Sequence, residues 1–334
     1  MIRALTLIAA CTLAVSATAQ TLIVGNKDED TVSFIDLESG QEVRRLETGA
    51  NPHEVAISPD GGAVFVVNYG TTTIDLFDVE KAEKIGTCDL APNSRPHGIV
   101  WTQAGGVLVT TEGSRTLTLV TPDCSRASAI ATDQEVSHMV AVDEARGRAY
   151  VSNLGSRTVT AIDLVEGRKI EDFTAAEEPE GLALAKDGTE LWVANRASAS
   201  VFVLDALTGE RLADIAVGQM PIRLAVSPDQ RWAVTSDLVD GAISVIDVER
   251  RERVRTIEVS GTPDARQVTL IWSADGERLY AAETGNGRIA EIDFASGDLL
   301  RYLPAGKGAD GLGIAPVRIL PNAQRSSPPS RGGD

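Results

Sequence analysis

Seven times along the chain an apolar run closes on an aspartate, or its equivalent, and turns: FIDLESG, LFDVEKA, LVTPDCS, AIDLVEG, VLDALTG, VIDVERR and EIDFASG. The anchors are Asp36, Asp78, Thr121, Asp163, Asp205, Asp247 and Asp293, and successive differences are 42, 43, 42, 42, 42 and 46 residues. A fixed period of this length marks one supersecondary unit, repeated, whose apolar face is covered by its neighbours. Each unit holds four short β runs, as in EVAIS, AVFVVN, TIDLFDV and KIGTCDL, bounded by Gly, Asp and Pro. The Asp-Gly pairs at Asp60-Gly61, Asp187-Gly188 and Asp275-Gly276 supply the positive φ of tight hairpins. No helical periodicity interrupts the pattern. The predicted fold is all-β, a seven-bladed β-propeller with four-stranded blades.

The two ends of the repeat array are complementary. The first unit opens on TLIVGN, which matches the second strand of a blade, and the missing first strand stands at the far end as ADGLGIAP. Leu312 to Ile314 should therefore pair with Thr21 to Val24 and close the ring, which removes an open sheet edge. The expected organisation is a leader over 1–19, the propeller over 20–316 and a polar, Pro-rich tail without fixed structure over 317–334.

The leader reading rests on Arg3, the apolar run Ala4–Val15 and the small residues Ala17-Thr18-Ala19, the pattern of a secretory signal cut after Ala19. Ile8-Ala9-Ala10-Cys11 also fits a lipoprotein box; it is the less favoured reading, because only ten residues precede Cys11. The apolar run is too short to span a bilayer. The whole chain carries a net charge of −17, which becomes about −18 once Arg3 is removed. Such a surface repels nucleic acid and anionic lipid and attracts cations. Cys88 and Cys124 remain after cleavage; an exported compartment permits a disulfide between them, and two free thiols are the alternative.

The strings VVNYGTTTIDLFDV, YVSNLGSRTVTAIDL and WVANRASASVFVLDA resemble the YVTN-type β-propeller repeat. Seven such repeats behind a signal peptide are similar to the propeller family associated with PQQ-dependent alcohol catabolism, and the resemblance covers roughly residues 21–316. It implies a periplasmic protein accompanying quinoprotein alcohol dehydrogenases and ABC-type transport components. A periplasmic dehydrogenase or a transport component is the expected partner, and bound PQQ is not expected.

In a propeller the innermost strands line the central channel, and the loops at one face carry function. The turns into those strands read NPHEVAI, RPHGIVW, VSHMVAV, EPEGLAL, MPIRLAV, TPDARQV and GADGLGI. The position after the proline or its equivalent holds His53, His97, His138, Glu180, Ile222, Asp264 and Asp310; alignment back from Ser273 would replace Asp264 by Val268. All three histidines of the chain share this register. The exits of the second strands give Asn26, Asn68, Glu112, Asn153, Asn195, Asp237 and Glu283, and Arg95 precedes His97 by two residues.

His53, His97, His138 and Glu180 are the candidate ligands of a divalent transition metal, because neutral imidazole suits such ions. Arg95, Asn68, Glu112, Asn153, Asn195, Asp237, Asp264, Glu283 and Asp310 are the candidate rim. A structural reading stands beside this one: Pro-His is a good turn, and the Asn of the repeat satisfies its own loop. Trp101, Trp192, Trp232 and Trp272 fall in predicted strands and read as packing. The chain lacks Gly-x-Ser-x-Gly, His-Glu-x-x-His and a phosphate loop. The expected role is a non-enzymatic accessory protein that binds a metal or small ligand at the channel mouth. The alternatives are a lactonase-like hydrolase using His97, Glu180 and Arg95, a quinoprotein-type enzyme, and a pure interaction scaffold.

Overall fold

The computed structural model describes residues 20–125 and 127–319. The expected leader and residues 320–334 of the expected tail lie outside the described residues. Among the described residues, twenty-eight strands form seven four-stranded antiparallel sheets, blades 1 to 7, whose innermost strands are Ala309–Ala315, Pro52–Ile57, Pro96–Trp101, Ser137–Asp143, Pro179–Ala185, Pro221–Val226 and Gln267–Trp272 in turn, with one 3-10 turn at Pro263–Ala265. Blade 1 is closed by the two ends of the array: Thr21 pairs with Ala315, Leu22 with Ile314 and Val24 with Leu312. Val317 and Ile319 add hydrogen bonds to the Thr21 hydroxyl, and Ile319 is buried between blades 1 and 2.

The apolar residues of the repeat meet between blades. One cluster joins Ile23, Val32 and Phe34 of blade 1 to Val55, Val64 and Phe77 of blade 2, and a corresponding cluster fills each of the other six interfaces. In blade 1 the two middle strands are buried except at Thr31, whereas the outer strand Gln41–Glu47 alternates between exposed and half-buried side chains. The tryptophans pack as expected; Trp101 lies against Phe65, and Trp232 and Trp272 flank Phe294. The anchoring aspartates cap their own turns: Asp36 accepts from the Ser39 amide, Asp247 from that of Arg250 and Asp293 from that of Ser296. Cys88, on the outer strand of blade 2, is disulfide-bonded to Cys124 of blade 3.

Every innermost strand carries a β-bulge at the same place. In blade 2, Pro52 pairs with Asn68 and Val55 with Val66, so His53 and Glu54 together oppose Val67. The same shift occurs in the other six blades. A bulge re-aims the side chains it contains, and here it presents two consecutive residues per blade to the channel.

Candidate metal centre at the channel mouth

The bulges define three columns of side chains around the mouth. The first residue of the bulged pair is Asp310, His53, His97, His138, Glu180, Ile222 or Val268. The second is Gly311, Glu54, Gly98, Met139, Gly181, Arg223 or Thr269. The third column begins one residue past the second strand. There the backbone N–H of Lys27, Tyr69, Glu112, Leu154, Arg196, Leu238 and Thr284 donates to a carbonyl two residues before the first column. The seven acceptors, Gly308, Asn51, Arg95, Val136, Glu178, Met220 and Arg266, all have positive φ. A common loop geometry thus holds the third column over the first.

This register corrects two assignments. Asp264 lies in the 3-10 turn, exposed, and Val268 occupies the repeat position. The insertion that lengthens this unit forms that turn, so counting from the proline stops short of the strand, which begins at Gln267. Glu112 does not occupy the Asn position: Pro96 pairs with Thr111, which takes that place, and Glu112 belongs to the third column. The remaining members of the exit set, Asn26, Asn68, Asn153, Asn195, Asp237 and Glu283, are fully buried inside their blades. Asn153 donates to Thr158 and Thr160, Asn195 accepts from the Ala176 amide, and Glu283 accepts from Asn286 and Arg288. They secure hairpins and do not line the mouth, as the structural reading of the repeat Asn requires.

The histidines converge. The rings of His97 and His138 stack with centroids 3.7 Å apart, and His53 lies 4.9 Å from His97. Small hydroxyl residues opposite the bulges set this spacing. Thr110 accepts from the Gly98 amide and donates to the His138 carbonyl, while Ser152 links the Met139 amide to the Glu180 carbonyl. Gly98 allows the close approach, since a Cβ there would fall 2.6 Å from the His138 oxygen.

Glu112 Oε1 lies 2.5 Å from His138 Nδ1, and Glu112 Oε2 accepts from the Tyr69 hydroxyl at 2.7 Å. Arg95 reaches over the Tyr69 ring to its hydroxyl and comes within 4.0 Å of Glu112. The other face of His138 meets Glu180, with 3.4 Å between Nε2 and Oε1. Glu180 also accepts from Arg196 at 3.0 Å and from Arg223 at 3.1 Å. Asp310 is held by Lys27 and Thr269 and does not reach the histidine pair directly. His53 directs Nδ1 at the Asn51 carbonyl, 3.1 Å away.

One ligand atom each from His97, Glu112 and His138 can be chosen so that all lie within 4.8 Å of one another. Burial, reinforced by His138, His53 and nearby cations, drives the pKa of His97 well below that of a free imidazole, so its ring is neutral. Its Nδ1 is buried without a hydrogen-bond partner. For His138 burial also acts downward, but its contacts with Glu112 and Glu180 prevail and raise it to about 9. Both carboxylates are correspondingly held below the ordinary range against the opposing effect of burial. The chemistry available is therefore exchange of the His138 proton for a cation between two imidazoles and a carboxylate.

Sequence reasoning aligned the histidines and Glu180 but missed Tyr69, Arg196, Glu54 and Arg223. The first two sit one residue past the repeat Asn and the last two one residue past the His column, so comparison of the adjacent columns was the signal that could have found them.

The model of the YNCE-like beta-propeller family matches residues 2–92. No curated protein matches the chain significantly. Among solved structures, a functionally unknown protein from Desulfotomaculum acetoxidans superposes with a TM-score of 0.75 at 14% identity, over 90% of this chain and 99% of that one. Kuenenia stuttgartiensis hydrazine synthase gives 0.73 at 16% identity, over 82% and 92%. Apo AztD from Citrobacter koseri gives 0.63 at 14% identity, over 89% and 98%. At such identities these likenesses establish a shared fold alone, and unrelated activities are built on one fold.

Proposed function

We propose that this chain is an exported, non-enzymatic binding protein that takes a divalent transition-metal ion at the channel mouth on His97, His138 and Glu112. The observation that carries this reading is the convergence of three buried ligand groups from blades 3 and 4, one of them a neutral imidazole with an unpartnered nitrogen. Three protein ligands leave room for a further ligand on the ion. His53, half-buried and with its ring centroid 4.9 Å from that of His97, is the candidate for a fourth protein donor. Bonds of about 2 Å to one ion imply tetrahedral ligand atoms about 3.3 Å apart, so side-chain rotations would draw this set together on loading.

The placement of Glu180 favours binding over hydrolysis. A carboxylate that accepts from Arg196, Arg223 and His138 is committed to cations and poorly suited to act as a general base. The inter-blade disulfide is consistent with an oxidising compartment. Together with the repeat resemblance, it supports a periplasmic accessory role beside PQQ-dependent alcohol oxidation or its linked transport.

The test is elemental analysis and competitive titration of untagged protein with Zn²⁺ and Co²⁺. Wild type should take up one ion, and a variant carrying His97→Ala, His138→Ala and Glu112→Gln should take up none. Equal loading of both proteins would sink the proposal.

A further inference from the structure

A buried lattice of charge crosses the channel beneath the histidines. Arg223, on the inner strand of blade 6, donates through Nη1 to Glu180 of blade 5 and through Nη2 to Glu54 of blade 2. The side chains of Arg223, Glu180 and Glu54 are 7%, 5% and 9% exposed. The Arg223–Glu54 pair spans 169 residues of sequence and bridges the ring between non-adjacent blades. Gly181 makes room for it: a Cβ at that position would lie 2.7 Å from the Leu224 nitrogen and 3.0 Å from Arg223 Cα.

Stability alone is a poor reason for this arrangement. Desolvation of a buried ion pair offsets most of its Coulomb gain, and apolar residues of the same volume serve a core as well or better. The lattice does, however, have a geometric consequence. Oε1 of Glu180 is shared between Arg223 and Nε2 of His138 while its Oε2 accepts from Arg196, and His138 turns its other nitrogen, Nδ1, toward Glu112.

From this geometry, and resting on the metal-binding reading above, we infer that Arg223 is a positioning residue. It clamps Glu180 behind His138, so that Nε2 is committed to an outer carboxylate and Nδ1 is the nitrogen offered to the ion with His97 and Glu112. Glu180 is then the orienting partner of a ligand and not a ligand itself. A carboxylate behind a ligating imidazole fixes its tautomer and ring orientation, and loss of such a partner typically lowers metal affinity roughly 10- to 100-fold. Arg is suited to the task because its planar fork can hold two carboxylates at once, whereas a lysine ammonium has no such fixed geometry.

The experiment uses the full chain and Co²⁺, whose visible spectrum reports ligand geometry. Arg223→Met, Arg223→Lys and Glu180→Gln are each combined with measurements of folding, Co²⁺ affinity and long-range proton–nitrogen NMR of the three imidazoles. The expected result is a folded protein that binds one ion roughly 10- to 100-fold more weakly, with an altered cobalt spectrum. The Arg223→Lys/Glu180→Gln double variant should be no weaker than Glu180→Gln alone, because Arg223 acts through Glu180. In the metal-free protein the slowly exchanging Nε2 proton of His138 should be lost in each variant. If Arg223→Met fails to fold, Arg223→Lys carries the test, since it retains the charge. Unchanged affinity and an unchanged His138 proton signal would overturn the inference, as would additive losses in the double variant. Failure of the wild type to bind Co²⁺ would instead remove the metal reading, and the imidazole signals would still decide whether Arg223 sets the state of His138.

Discussion

His97 and His138 come from adjacent blades and lie ring on ring, 3.7 Å between centroids at an interplanar angle of 29°, with Nδ1 of His97 unpartnered. An unsatisfied buried polar atom costs on the order of 1–3 kcal/mol. The metal-free protein therefore carries a local instability that ion binding would relieve. His97→Leu should abolish metal uptake while leaving the metal-free protein as stable as wild type, or up to about 1 kcal/mol more stable. Urea denaturation in the presence of a chelator measures this. A loss of several kcal/mol would show that the ring is retained for packing, and His97 would lose its standing as a ligand.

Asp237 offers a pH-dependent prediction away from the mouth. Four blades carry Asn at its repeat position, and Asp237 is fully buried among Thr235 and Ser244. Burial, with help from Asp240, pushes its carboxyl up to about 6. A folded-state value above the unfolded value near 3.8 means that the native state holds the proton more tightly. The contribution to stability is full below about pH 4 and is lost as pH rises through about 6. Asp237→Asn should therefore stabilise the protein at pH 8 by about 2–3 kcal/mol and have little effect near pH 4. Asn26 already makes the equivalent contact, donating to Ser33 at 2.8 Å. Equal urea midpoints for the two proteins at pH 8 would contradict this account.

The fold was legible because every level of the sequence repeats: the 42-residue period, the Asp-Gly turns and the complementary ends all point to one closed ring. The site was legible only where it follows the period. His53, His97 and His138 could be placed in one column by counting. Glu112 was read one column away because the second strand of blade 3, Val107–Thr111, has five residues where its counterparts have six. Arg223 and Glu54 could not be paired by counting, since their contact exists only after the ring closes and brings blades 2 and 6 across the channel. Local pattern specifies each blade, and curvature summed over seven blades specifies who meets at the axis.

The Cys88–Cys124 bond closes a loop of 36 residues between two blades. Chain-entropy arguments give a cross-link of that span a stabilisation of about 4 kcal/mol at most. The Cys88→Ser/Cys124→Ser variant should be less stable by about 2–4 kcal/mol, with metal affinity unchanged, because neither cysteine touches the mouth. Paired denaturation curves and Co²⁺ titrations check both halves. A weakened site with intact stability would mean that the disulfide acts on the spacing of blades 2 and 3 and not on the unfolded chain.

Closure of the ring and geometry of the site meet at Gly311. It lies on the strand Ala309–Ala315 that completes blade 1, and a Cβ there would overlap the His53 carbonyl and fall 2.8 Å from Glu54 Cα. Both neighbours are backbone, so a methyl group can be accommodated only by a shift of the closing strand or of the inner strand of blade 2. That strand carries His53 and Glu54, and Glu54 anchors Arg223. Gly311→Ala should therefore cost about 1–3 kcal/mol as overpacking and also weaken Co²⁺ binding. Gly62→Ala is the control, in the first hairpin of blade 2, since its nearest neighbour would be 3.5 Å away. Denaturation midpoints should drop for Gly311→Ala and stay near wild type for Gly62→Ala. If Gly311→Ala loses stability but keeps wild-type affinity, the shift is absorbed at the closing strand. The bulges of blades 1 and 2 would then be mechanically independent, and the ring would not transmit its closure to the mouth.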